Sequence, residues 1–96
     1  MSDYDEKVIR KAITVFGSVQ GVGFRYTARH AANMFRLTGY VKNEYDGSVT
    51  CEVQGDSDAI EAFIRTLGQG RFIDISYVDR TVMPVVEDER SFEVRY

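Results

Sequence analysis

The spacing of apolar residues predicts a strand followed by a helix in the first part of the chain. From Lys11 to Ser18, apolar and polar side chains alternate with a period of two, which is typical of a half-buried strand. The spacing then becomes helical, with an apolar stripe made of Phe24, Ala28, Ala31, Ala32 and Phe35. Thr38-Gly39 is predicted to end this helix, because glycine tolerates the left-handed conformation that follows many helices.

A hairpin is predicted next along the chain. Residues 40–43 and 48–54 have strand patterns, and Asp46-Gly47 between them is a favourable turn sequence. The residues of the second strand that are expected to face the core are Val49, Cys51 and Val53. The two strands should therefore pair as neighbours.

A second helix and a long strand follow the hairpin. Asp56 or Ser57 is predicted to cap the helix, Gly68 ends it, and its apolar stripe consists of Ile60, Phe63, Ile64 and Leu67. Residues 73–83 then have a strand pattern, whose alternation slips near Tyr77-Val78 and so indicates a bulge.

Residues 92–96 alternate as a last short strand at the sheet edge. The order βαββαβ with an added terminal strand predicts an α+β sandwich of the ferredoxin-like type, an antiparallel sheet with two helices packed on one face. Residues 1–10 are expected to be a flexible lead-in and residues 11–96 a single domain, because 96 residues supply only one two-layer core. This fold does not by itself predict an activity.

Charge is distributed unevenly along the chain. Between Gly17 and Asn43 there are four basic residues and no Asp or Glu, although the formal net charge of the chain is −3. A basic segment in an acidic chain attracts a small anion and repels polyanions, so nucleic acid is not an expected partner. No apolar run is long enough to span a bilayer, and the polar, acidic beginning is unlike a signal peptide. We therefore expect a cytoplasmic protein without a membrane partner, and, since nothing in the sequence marks a large interface, a monomer.

Cysteine, histidine and glycine usage exclude several kinds of site. Cys51 is the single cysteine and His30 the single histidine, which permits neither a disulfide nor a four-ligand zinc site; we expect no metal and no cofactor. The glycines at 17, 21 and 23 match neither the Gly-x-x-x-x-Gly-Lys nucleotide loop nor the dinucleotide-binding pattern. A cysteine phosphatase would need an arginine six residues after Cys51, where Ser57 stands.

The run Gly-Ser-Val-Gln-Gly-Val-Gly-Phe-Arg, from Gly17 to Arg25, carries the candidate chemistry. It predicts a strand end, a tight turn and a helix start, where main-chain N–H groups lack helical partners and form a seat for a tetrahedral anion. Arg25 at its rim can bind two phosphate oxygens. As an ordinary surface residue it would be an unfavourable cation at the positive end of a helix, and a bound anion removes that conflict.

Asn43 is the polar residue best placed to accompany this seat. It ends the predicted strand that follows the first helix, and its amide can orient water, although it is a weak base. Taken alone, an asparagine at this point is more often an ordinary turn residue ahead of a hairpin.

Two stretches resemble the signature sequences of acylphosphatases. The run from Gly17 to Arg25 resembles the family's Gly-x-Val-Gln-Gly-Val-x-Phe-Arg. The run from Gly39 to Val49 resembles its Gly-Trp-Val-x-Asn-x-x-Asp-Gly-x-Val, with Tyr40 in place of tryptophan. The ending Phe92 to Tyr96 is also similar, and the resemblance covers about Ala12 to Tyr96.

The resemblance implies metal-independent hydrolysis of the carboxyl–phosphate anhydride of a small-molecule acyl phosphate, releasing a carboxylate and inorganic phosphate. It implies that Asn43 orients the attacking water and that Arg25 binds the phosphoryl group. Main-chain amides of the turn would assist Arg25; the turn residues are Val19, Gln20, Gly21, Val22, Gly23 and Phe24. Fixed donors of this kind can supply most of the catalytic help in phosphoryl transfer.

One other function remains open at this point, and a second is disfavoured by the sequence. A noncatalytic phosphate-binding or regulatory domain would use the same anion seat, and turnover of an acyl phosphate distinguishes it from an enzyme. An RNA-recognition module shares the βαββαβ order but needs aromatics in a Lys/Arg-Gly-Phe/Tyr-Gly/Ala-Phe run. The nearest pair, Arg71-Phe72, continues as Ile-Asp-Ile and lacks this pattern.

Overall fold

The computed structural model describes residues 8–21, 23–70 and 73–96 of the chain. The elements follow in the order β1 (Val8–Ser18), α1 (Phe24–Met34), β2 (Thr38–Asn43), β3 (Val49–Asp56), α2 (Ser57–Leu67), β4 (Asp74–Met83) and β5 (Phe92–Arg95). The strands form one sheet in the order β4-β1-β3-β2-β5. The predicted ferredoxin-like α+β fold is confirmed. None of the helices formed by the described residues has the length and apolar composition to cross a membrane.

The strand order brings the ends of β1 and β2 together. β3 lies between them and runs antiparallel to both, so β1 and β2 are parallel and their carboxyl ends lie at the same end of the sheet. Val49 pairs with Val15 on one side and with Asn43 on the other. Two strand spacings, about 10 Å, therefore separate the last residue of β2 from β1.

Both helices pack on one face of the sheet through the stripes that were predicted. The buried residues of α1 are Phe24, Ala28, Ala31 and Ala32, and those of α2 are Ile60, Phe63, Ile64 and Leu67. The strand residues that they cover include Ile13, Val15, Val41, Val49, Cys51 and Val53, all of them inaccessible to solvent. Asp56 caps α2 and Gly68 follows its last residue, as expected.

The sheet is mixed, whereas the sequence predicted an antiparallel one. β5 pairs with β2 in parallel. The cause is the connection 84–91: β4 runs antiparallel to β1 and hence to β2, so a chain that reverses after β4 and crosses to the opposite edge re-enters parallel to β2. The predicted position of this last strand, at the sheet edge, is confirmed.

A polar network fastens the connection 84–91 to the face of the sheet opposite the helices. Arg10, which is 3% exposed, donates from Nε to Glu52 at 2.8 Å and from Nη1 to Glu89 at 2.8 Å and to Gln54 at 3.2 Å. The amide of Gln54 also exchanges two hydrogen bonds with the main chain of Val86, at 2.8 and 2.9 Å. These contacts hold the segment that delivers β5 to its edge.

Residues 8–10, predicted as part of the flexible lead-in, form the beginning of β1. They pair with the last residues of β3, and Arg10 is buried there by its carboxylate partners. A buried ion pair leaves no apolar signal, which is why alternation placed the strand start at Lys11. Residues 1–7 lie outside the described residues.

α1 ends earlier than predicted. Its last residue is Met34, and Arg36 adopts the left-handed conformation, with φ of 58°. Gly39, which was expected to end the helix, belongs to β2. A Cβ at Gly39 would lie 1.8 Å from the carbonyl oxygen of Glu52, so glycine is required there by the close approach of β3.

The predicted bulge lies at the end of β1 nearest the candidate site. Phe16 pairs with Tyr77, but Gly17 pairs with Ile75, which leaves Ser76 as the additional residue of β4. The Ser76 hydroxyl donates to the carbonyl of Phe16 at 3.2 Å.

Candidate active site

The turn between β1 and α1 is built on two glycines. Gly21 and Gly23 have φ of 76° and 77°, a conformation that glycine adopts without strain. A Cβ at either position would meet no atom within 4 Å, so backbone conformation and not crowding requires them. The carbonyl of Gly23 accepts the N–H of Thr27 at 3.0 Å and thereby begins the helix. Val22 lies outside the described residues.

The beginning of α1 has no negative charge to balance it. Its first turn contains no acidic residue, and Gly23 at the N-cap provides no side-chain acceptor. α2 is built in the opposite way, because the carboxylate of Asp56 accepts the N–H groups of Asp58 and Ala59. The positive end of α1 is therefore suited to an external anion.

A cavity of about 100 Å³ lies at this end of the sheet. The described residues that line it are Val19, Gly21, Gly23, Phe24, Arg25, Tyr26 and Asn43. Arg25 comes from the first turn of α1 and Asn43 is the last residue of β2, so the fold brings the two predicted site residues to one cavity. A larger cavity, of about 280 Å³, lies elsewhere, between residues 86–91 and β5, and neither residue lines it.

The charge of Arg25 is not neutralised by a carboxylate of the described residues. Its guanidinium instead lies over the ring of Tyr96, with Cζ 4.6 Å from the ring centroid. A cation placed on an aromatic face keeps its N–H donors at its edge, where an oxyanion can accept them.

The side chain of Gln20 ties the turn to the hairpin that carries Asn43. Its Nε2 donates to the carbonyl of Glu44 at 2.8 Å and to that of Ser48 at 2.9 Å. Gln20 is absent from the residues that line the cavity, so a contribution from its main-chain N–H stays a prediction. No sequence pattern indicated the side-chain role, because the partners are carbonyl groups 24 and 28 residues away.

The hairpin itself is fixed by Asp46. Its Oδ1 accepts the N–H of Ser48 at 2.9 Å and the Ser48 hydroxyl at 2.6 Å, and these two bonds hold the pKa of the Asp46 carboxyl below its ordinary value. Gly47 completes the turn with φ of 95°. The predicted Asp-Gly turn is confirmed.

Other potentially reactive side chains lie apart from the cavity. Burial raises the pKa of the Cys51 thiol to about 12, so it stays protonated and is not a nucleophile. His30 is exposed on α1 and does not line the cavity. Tyr26 and Tyr96, in contrast, contact the site and were not singled out from the sequence, since exposed aromatic residues give no periodic signal.

Comparison with known proteins agrees with this geometry. The acylphosphatase family model matches residues 11–94. The chain is 43% identical over 90 residues to the acylphosphatase of Bifidobacterium longum, covering 92% of this chain and 93% of that protein. The solved structure of an acylphosphatase from Coxiella burnetii has a TM-score of 0.86 at 35% identity, and covers 99% of this chain and 100% of its own. The crystal structure of acylphosphatase from Bacillus subtilis also has a TM-score of 0.86, at 32% identity, covering 92% of this chain and 99% of its own. The chain therefore belongs to the acylphosphatase family, and this membership supports a hydrolase acting on acyl phosphates.

Proposed function

We propose that the protein hydrolyses the carboxyl–phosphate anhydride bond of acyl phosphates, with Arg25 binding the phosphoryl group and Asn43 orienting the attacking water. Family membership supports the reaction. The single observation that carries the residue roles is that Arg25 and Asn43 line the same cavity at the beginning of α1.

The phosphoryl group would be held by donors of two kinds. The guanidinium of Arg25 offers a planar pair of N–H groups to two oxygens, and main-chain N–H groups of the turn 19–24 bind the others. The positive end of α1 adds a fixed dipole, which no acidic residue of its first turn opposes. Donors fixed by the turn and the helix in this way would stabilise charge on the equatorial oxygens of the transition state.

The reaction needs water in line with the anhydride bond. The water oxygen forms a bond to phosphorus while the bond from phosphorus to the acyl oxygen breaks, and its electron pair leaves with the carboxylate. A proton from water passes to solvent or to the phosphate released. The side-chain amide of Asn43 can accept a hydrogen bond from this water, or donate one to it, and so fix its direction.

The leaving group makes a strong acid or base unnecessary. Carboxylic acids have pKa values near 4, so the carboxylate departs as a stable anion at neutral pH without protonation. A loose phosphoryl transition state also requires little activation of the nucleophile. An arginine and an amide are therefore sufficient groups for this reaction, although neither is an effective general base.

The lining of the cavity is poorly suited to a divalent cation. Its described side chains supply a guanidinium, an amide and a phenol among apolar residues, whereas Mg²⁺ prefers carboxylates and substrate phosphates. We expect the hydrolysis rate to be unchanged in the presence of a chelator.

Hydrolysis of benzoyl phosphate, followed by the loss of its absorbance, tests the proposed function. Wild-type protein should hydrolyse it far faster than buffer, and Arg25→Ala should lower both turnover and inhibition by inorganic phosphate. Arg65→Ala removes an exposed arginine of α2 outside the cavity and is the matched control, which should behave as wild type. Phosphate binding by the wild type without turnover would reject the enzyme in favour of a noncatalytic phosphate-binding domain.

We further propose that residues 11–96 act as a single-domain cytoplasmic monomer with no nucleic-acid or membrane partner. The net charge of −3 supports the lack of affinity for polyanions, and a lone buried thiol is compatible with a reducing compartment. Light scattering after size-exclusion chromatography tests the monomer, and cell fractionation tests the location.

A further inference from the structure

We propose that Tyr26 determines acyl-group specificity: its ring contacts the acyl part of the substrate and favours flat, unsaturated acyl groups over short aliphatic ones. This inference rests on the proposed function, because it concerns the half of the acyl phosphate that the phosphoryl seat does not hold.

Tyr26 is placed at the site without a structural task in the core. It follows Arg25 in the first turn of α1 and lines the same cavity, yet 59% of its surface is exposed. The side chains that anchor this part of α1 are Phe24 and Ala28, which are at most 2% exposed. The ring of Tyr26 is therefore available to a ligand, and its removal should leave the helix packed.

The cavity is small, about 100 Å³, and Tyr26 lies at its solvent-exposed rim. A phosphoryl group bound against Arg25 would leave the acyl group near this rim. Gly21 and Gly23 at the opening have no side chain, and a Cβ on either would meet nothing within 4 Å. Tyr26 consequently offers the exposed aromatic surface that an emerging acyl group can contact.

The ring is held by a neighbouring cation. The guanidinium of Arg29, one helical turn further along α1, lies 5.6 Å from the centroid of the Tyr26 ring. A cation–π contact between exposed groups is weak, but it favours this orientation of the ring and so lowers the entropy cost of binding a ligand against it. The segment from Gly17 to Asn43 contains no acidic residue that would draw Arg29 away.

The preference between two substrates measures this role. The values of kcat/KM for benzoyl phosphate and acetyl phosphate are compared in wild type, Tyr26→Ala and Tyr26→Phe. Tyr26→Ala should lower kcat/KM for benzoyl phosphate about three- to tenfold, the range expected for one aromatic contact, with less than a twofold change for acetyl phosphate. Tyr26→Phe keeps the ring and should keep the wild-type ratio.

Two controls separate specificity from damage to the site. The inhibition constant of inorganic phosphate should be the same in all three proteins, since the phosphoryl seat is intact. Tyr77→Ala removes a tyrosine of nearly equal exposure, 60%, from β4 and outside the cavity, and should leave the ratio unchanged.

The outcomes distinguish this inference from the proposed function. An unchanged benzoyl-to-acetyl ratio in Tyr26→Ala overturns the specificity role while hydrolysis by the wild type still stands. Equal losses for both substrates, with weaker phosphate inhibition, also overturn it, because Tyr26 would then support the seat. A wild type that hydrolyses neither substrate overturns the proposed function itself.

Discussion

The guanidinium of Arg25 and the ring of Tyr96 are in face contact, with 4.6 Å between Cζ and the ring centroid. The parallel pairing of β5 with β2 creates this contact. It places Arg95 beside Lys42, so Tyr96 follows at the level of Asn43. This edge strand, whose Phe92 belongs to the core, thus also carries an aromatic ring to Arg25, and the ring limits the orientations that Arg25 can adopt.

Removing that ring should weaken phosphate binding. Tyr96 is 85% exposed, and a cation–π contact at an exposed site contributes about 0.5–1 kcal/mol, so Tyr96→Ala should raise the phosphate inhibition constant about two- to fivefold. Tyr96→Phe retains the ring and should retain wild-type inhibition. If Phe and Ala weaken inhibition equally, the phenol hydroxyl and not the ring supports Arg25.

Asn43 should matter for turnover more than for binding. Asn43→Ala is expected to lower kcat about 100-fold or more with little change in KM, because the amide is proposed to act on water and not on the phosphoryl group. Steady-state kinetics with benzoyl phosphate measures the split. Asn33→Ala, an exposed asparagine of α1, is the control. A wild-type kcat in Asn43→Ala would remove the water-orienting role.

Arg10 should dominate the stability of the connection 84–91. Arg10→Met leaves the largely buried carboxylates of Glu52 and Glu89 without their cation, and we expect it to lower the free energy of unfolding by about 3 kcal/mol. Arg80→Ala breaks only a more exposed pair with Glu61 and should cost less than about 1 kcal/mol. Urea denaturation measures both, and equal effects would contradict the importance given to burial.

Glu52 should make the protein sensitive to acid. Burial opposes its ionisation, but hydrogen bonds from Arg10 and Tyr40 outweigh that effect and hold the pKa of its carboxyl below the ordinary value of 4.5. Because the pKa is lower in the folded state, the carboxylate contributes stability above pH 4.5, and this contribution is lost as the pH falls through the folded pKa.

Comparison of wild type with Glu52→Gln tests this dependence. The difference in unfolding free energy between the two proteins should be largest near neutral pH. It should shrink as the solution is acidified below the ordinary pKa of a glutamate. Urea denaturation at a series of pH values measures it. A difference that is constant across the acid range would show that ionisation of Glu52 does not contribute.

Elements with strong local signals were predicted well. The Asp46-Gly47 turn and the cap of α2 depend on contacts within three residues. The turn was located correctly, and of the two predicted cap residues, Asp56 and Ser57, the structure has Asp56. The first helix was extended too far because Arg36 supplies the left-handed conformation that glycine usually takes. Glycine is required at position 39 for a different reason, which is the close approach of a neighbouring strand. No local sequence pattern records such an approach.

The candidate site residues that belong to contiguous sequence motifs could be predicted from the sequence. Arg25 and Asn43 were predicted as candidates in this way, and the parallel relation of β1 and β2 explains why both line one cavity. Tyr26, Tyr96 and the side chain of Gln20 could not be assigned from sequence, because an exposed ring and a side-chain bond to a distant carbonyl leave no trace in hydrophobic spacing.

The side-chain amide of Gln20 is a point at which a chemical change would alter the site without altering Arg25 or Asn43. One nitrogen serves two carbonyl acceptors there, and deamidation would replace it with an anionic oxygen that both acceptors repel. We expect the turn and the hairpin to separate in a molecule altered in this way, although every group that meets the substrate would be chemically intact. Activity would then fall because Asn43 is displaced, with the side chains of Arg25 and Asn43 themselves unchanged.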